Sequence, residues 1–133
     1  MAFLQRVLKV QGAFWAVFGI VLVLAPRWLL HELFAQPPML EHAWVRAAGV
    51  MAVVLAMLMV LVAQRVTDVC WWAWSFAALG AGAATLFMLN GAFGLPSGAE
   101  AWPWWVLGAI NVAFGALDLL GIAAAGREKP IVP

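Results

Sequence analysis

The residues with the most to say about chemistry sit where chemistry is expensive. The last apolar stretch, Trp104 to Ala125, carries Asn111 and Asp118. An acidic side chain at that depth costs about 2.5–3.5 kcal/mol on insertion scales, so it must face protein or water rather than hydrocarbon. Gly108, Asn111, Gly115 and Asp118 fall at i, i+3, i+7 and i+10, one stripe of small and polar residues on an apolar helix. Asp118 could serve as a proton or cation site, or as a polar contact for a headgroup or quinone. It could equally be interhelical glue, satisfied by Gln11, by Lys9 or by the turn at Arg65. Asn111 fits glue better, since hydrogen bonds between membrane helices gain about 0.6 kcal/mol on average.

A second set of candidates lies near predicted helix ends. Arg46 could hold a lipid phosphate or an acidic substrate, or snorkel and pair with Glu41, Glu32 or Glu100. His31 and His42 are the only histidines. Haem or metal ligation there would need Glu32 or Glu41 as a third ligand, and no ligand-spacing signature accompanies them, so surface histidines and no metal are expected. Cys70 stands alone, which excludes an intrachain disulfide, and reads as a small apolar filler. No phosphate loop, Cys-x-x-Cys or nucleophile elbow is present, and no catalytic residue is assigned.

Four apolar stretches must position these residues. The chain has 133 residues, 67% hydrophobic and 10% charged, with mean hydropathy +1.01. Soluble domains carry about 25% charged residues, so this chain could not cover a water-facing surface. Net charge of +1 gives no nucleic-acid footprint. The expected fold is all-α: one domain over residues 1–133, an integral-membrane antiparallel four-helix bundle. Spans are expected at about 7–25, 47–63, 69–89 and 104–125. The first is read as a retained span rather than a cleaved signal. Gly12, Ala16 and Gly19 form a small-residue strip on it.

The connections have their own character. Residues 27–36 alternate apolar and polar, as expected of a short helix in the interface, with Pro37-Pro38 ending it and opening the next helix. Periodicity of the second span could begin near Met39. Residues 64–68 read as a tight polar turn, 90–101 as a Gly/Pro/Ser-rich loop, and 127–133 as a mobile polar tail.

Orientation follows from the basic residues. Arg6, Lys9, Arg65, Arg127 and Lys129 fall on one side and Arg27 and Arg46 on the other, so both termini are expected in the cytoplasm. Eight of the nine tryptophans fall at predicted interfaces, Trp15 being the exception, which supports the four-span reading.

Pro26-Arg27 after the first span and Arg46-x-x-Gly49 opening the second resemble the DoxX-like and neighbouring small four-helix bacterial membrane proteins. The resemblance is one of architecture and covers most of the chain. It implies an accessory role in quinone-linked redox membranes and supplies no catalytic residue or cofactor. The chain departs from drug-exporting four-helix transporters, which carry an acid in the middle of span one.

The expected function is that of a small inner-membrane protein without catalysis of its own. It would be a subunit or stabilising partner, or bind a lipid or quinone between helices. Expected partners are membrane lipid, a quinone or another membrane subunit, and a second copy of the chain. The alternative is a small proton-coupled transporter or permease using Asp118. A third reading is a redox subunit with haem or quinone near His31, His42 and Arg46.

Overall fold

The computed structural model describes residues 1–128. Helix α1 spans Ala2–Leu24, α2 Ala43–Gln64, α3 Val66–Val69, α4 Ala73–Phe93 and α5 Trp102–Glu128. A π-helical turn, Trp28–Leu33, follows α1, and a single 3-10 turn, Cys70–Trp72, leads into α4. No strand occurs among the described residues. Four helices are long and apolar enough to cross a membrane by length and composition: α1, α2, α5 and the run Val66–Phe93. Their outward faces stay apolar, with Val50, Val54, Met57 and Leu61 exposed along α2.

Two pairs form, α1 on α2 and α4 on α5, and α1 packs on α5 to join them. Glycine sets the closeness within each pair. A Cβ on Gly19 would stand 2.6 Å from the Gly49 carbonyl oxygen, and one on Gly49 would stand 2.7 Å from that of Gly19. Both are far inside van der Waals contact, so the two backbones touch there. A Cβ on Gly80 would meet Gly115 Cα and N at 3.0 Å, the corresponding contact between α4 and α5. Small residues that let backbones approach are how helices associate where lipid removes the hydrophobic drive.

Most expected boundaries shift outward. Span one begins at Ala2 rather than Val7, because the amphipathic first turn buries Leu4 and Leu8 completely. Span four runs on to Glu128, whose carboxylate takes the Met1 ammonium at 2.9 Å. Span three continues through Asn90 and Gly91 to Phe93. The expected turn at 64–68 reduces to Arg65, and Thr67 and Asp68 are already helical in α3. Pro37-Pro38 does not open α2. Residues 35–39 carry no helix, and α2 starts at Ala43 rather than Met39. The interfacial helix expected over 27–36 is the π-helical turn, closed by Ala35 at φ +50. That left-handed residue lets the Gln36 N–H reach the Leu30 carbonyl at 2.8 Å, satisfying an orphaned helix-end acceptor. The expected tail beyond Glu128, with Lys129, lies outside the described residues.

The two ends of the molecule differ in filling. At the end holding Met1, Arg65 and Glu128, here the terminal end, Leu4, Leu8, Met59, Ala63, Ala73 and Phe76 are buried in one continuous core. At the opposite end, here the loop end, the connections 25–42 and 94–101 converge over a hollow.

Candidate functional site

The loop-end hollow has a volume of about 720 Å³ and is more enclosed than the groove along α4 and α5 or the one along α1 and α2. All four long helices line it. Trp15, Phe18 and Leu22 come from α1, Val45, Ala48 and Ala52 from α2, Leu86 and Phe87 from α4, and Trp104 and Leu107 from α5. The connections add Leu30, Phe34, Gln36, Pro37, Pro38, Met39 and Pro96. Ligand pockets of roughly 300–1,000 Å³ with apolar walls and a few placed polar groups have this character.

Gln36 supplies the polar rim. Its Nε2 donates to the Phe34 and Glu100 carbonyls, each at 2.8 Å, and its Oε1 accepts from Trp104 Nε1 at 3.2 Å. One side chain thereby ties the 25–42 connection to the 94–101 loop and to α5. Sequence reasoning passed over Gln36. The one available signal was a carboxamide next to Pro37-Pro38, a rigid segment with few donors of its own.

The two histidines meet. His31 Nε2 and His42 Nε2 stand 3.0 Å apart, with the rings edge-on, and His31 Nδ1 lies 3.1 Å from the Gln36 carbonyl oxygen. A carbonyl only accepts, so with both rings neutral His31 carries its proton on Nδ1 and presents a lone pair at Nε2. His42 then donates from Nε2. Both rings are half-buried. Both lie at the loop end, and the fold back between residues 35 and 42 brings them into contact, which their spacing in the sequence does not show. Glu32, Glu41 and Arg46 are exposed, and among the described residues Arg46 makes none of the expected ion pairs. No group of three or more His, Cys, Asp or Glu side chains converges among the described residues.

The stripe on α5 faces inward, as its spacing requires, but it divides between two neighbours. Gly108 meets Met88 of α4 and Gly115 meets Gly80, whereas Gly121, one turn beyond Asp118, meets Leu4 of α1. Asn111, Asp118 and Gln11 are all fully buried. Asn111 Nδ2 donates back to the Leu107 carbonyl at 2.9 Å, within its own helix. Gln11, not Lys9 or the Arg65 turn, is the side chain that approaches the Asp118 carboxyl. Neither closes a hydrogen bond of ordinary geometry: both Asp118 oxygens, both Gln11 polar atoms, Asn111 Oδ1 and Trp15 Nε1 are unpartnered among the described residues. Asp118 lines neither the hollow nor the grooves along α4–α5 and α1–α2. Cys70 is buried in the terminal core, as a small apolar filler would be.

No family model, curated protein or solved structure matches the chain. The functional reading therefore rests on the site.

Proposed function

We propose that the chain is a multi-pass protein of the bacterial inner membrane, an antiparallel four-helix bundle that holds a lipid or a quinone in the loop-end cavity. It performs no catalysis of its own. The termini lie in the cytoplasm and the cavity opens toward the outer leaflet, in keeping with the five-to-two bias of basic residues.

The observation that carries this reading is the cavity itself. The hollow is partly open, and its walls are apolar apart from the Gln36 rim, so water entering it finds few polar partners. An apolar occupant covers such walls better than water does, and a membrane supplies acyl and isoprenoid chains. The Gln36–Trp104 rim then meets the polar head where such a ligand emerges.

The resemblance to DoxX-like proteins favours a quinone among such ligands and a redox membrane subunit as the partner. Purification in mild detergent, followed by mass spectrometry of the organic extract and an absorption spectrum, tests the reading. One tightly held amphiphile per chain, resistant to detergent exchange, is the expected result. Only exchangeable bulk lipid would contradict it.

One observation favours a second reading, a small proton-coupled transporter: among the described residues the buried Asp118 carboxyl has Gln11 nearby but closes no hydrogen bond of ordinary geometry. That reading requires solute uptake that disappears in Asp118→Asn. The cavity reading requires Asp118→Asn to keep its ligand.

A further inference from the structure

The histidine pair has the nitrogen spacing of a ligand set as well as of a hydrogen bond. Zinc–imidazole bonds are about 2.0–2.1 Å long. Two such bonds at a right angle place their nitrogens about 2.9 Å apart, and at the tetrahedral angle about 3.3 Å. The observed Nε2–Nε2 separation is 3.0 Å, inside that window. His31 also has the backing metal-ligating imidazoles almost always have: its Nδ1–H is held by a backbone carbonyl, that of Gln36, which fixes the ring and leaves the Nε2 lone pair facing His42. Gln36 is itself held through three side-chain hydrogen bonds, so the backing is rigid. The two rings come from separate segments, and their half-exposure leaves a path for an ion and water.

We propose that His31 and His42 form a two-imidazole site for a divalent transition ion of the Zn²⁺, Cu²⁺ or Ni²⁺ class, with water in the remaining positions. Neutral imidazole suits these ions. The exchange balances without an added acid or base. In the metal-free pair His42 donates from Nε2. On binding, its proton moves through solvent to Nδ1, and both Nε2 lone pairs go to the metal. The ion replaces one hydrogen bond with two coordinate bonds and clamps the π-helical turn to the start of α2. That connection lines the cavity, so the clamp stiffens one wall of it. The site stands on the histidine geometry alone and does not depend on what the cavity holds.

The test is calorimetric titration of Zn²⁺ into the full chain, purified without a histidine tag, stripped with chelator and held in nanodiscs. One Zn²⁺ per chain is expected, with binding weakened at least tenfold in His31→Ala and in His42→Ala. The double variant Glu32→Gln, Glu41→Gln should retain the stoichiometry. No Zn²⁺ binding, or equal binding in the histidine variants, would overturn the site and leave the pair a hydrogen bond only. Should the alanine variants fail to fold, the electron paramagnetic resonance spectrum of Cu²⁺ on the native chain decides. Two coupled imidazole nitrogens are expected, and one or none would overturn the proposal.

Discussion

The terminal and loop ends of the same four helices are built on different principles. At the terminal end Leu4, Leu8, Met59 and Phe76 are essentially fully buried, and Met1 is tied to Glu128. At the loop end the helices enclose about 720 Å³, and the closure is polar and local: Gln36 to Glu100 and Trp104, and His31 to His42. The Gly19–Gly49 contact sits beside the hollow, since Phe18 and Leu22 of α1 and Ala48 and Ala52 of α2 line it, whereas Gly80 meets Gly115 farther from the loop end. The difference separates an end closed by side-chain packing from one closed over a hollow by a few polar contacts.

The comparison breaks most completely where backbones touch. Gly49→Leu places a side chain against the Gly19 carbonyl, 2.7 Å from its Cβ, where backbone cannot give way. Overpacking of this kind costs about 1–3 kcal/mol, occasionally more. The upper end is expected here, read as an early unfolding midpoint in a denaturing-detergent titration. Phe76→Ala follows. In the bilayer setting proposed above, lipid is as apolar as a core, so the transfer part of the usual cost falls away. The cavity part remains, about 2–3 kcal/mol for the volume of a phenyl ring. The same titration should show it clearly, and an equally large loss from Leu86→Ala at the hollow end would erase the contrast.

Smaller effects sharpen the distinction. Gln36→Ala removes three hydrogen bonds at the rim. At about 1 kcal/mol for a typical bond, part of it recovered by water at the partners, the net loss should stay near 1–2 kcal/mol. Faster dissociation of the bound amphiphile should accompany it. Asp118→Asn retains a polar group beside Gln11, and interhelical contacts of this kind average about 0.6 kcal/mol. A shift below about 1 kcal/mol, with the ligand retained, is expected. Ala35→Gly relieves a left-handed alanine at φ +50 while loosening the unfolded chain. It should be neutral or stabilising by up to about 1 kcal/mol in thermal melts.

The two ends also differed in how far the sequence disclosed them. The α5 stripe was legible because a polar residue in an apolar helix has few places to go, and the 3.6-residue period put Gly108, Asn111, Gly115 and Asp118 on one face. Gln11 was visible as a partner for the same reason. The tight approach at Gly12 and Gly19 was legible from small residues at helical spacing, although nothing local revealed that Gly49 would be the opposing surface. Charged residues such as Arg6, Arg127 and Glu128 mark the ends of the apolar zone but not of the helices, because a helix continues past that zone at little cost. The hollow has no sequence signature, since it is defined by where side chains from four helices fail to meet. The His31–His42 contact depends on the left-handed Ala35 and the path through Pro37-Pro38, and spacing along the chain does not encode that path.

The most direct test of the central claim fills the hollow and leaves the packed end alone. Ala48 lines the cavity and is exposed there, so Ala48→Phe adds a ring to the space without entering the Gly19–Gly49 contact. Quantitative mass spectrometry of ligand retained by the native chain and by Ala48→Phe, both in nanodiscs, gives the answer. The account predicts that the variant loses the bound amphiphile while its helix content and unfolding midpoint stay close to native. Equal retention in the two proteins, with folding unchanged, would contradict it.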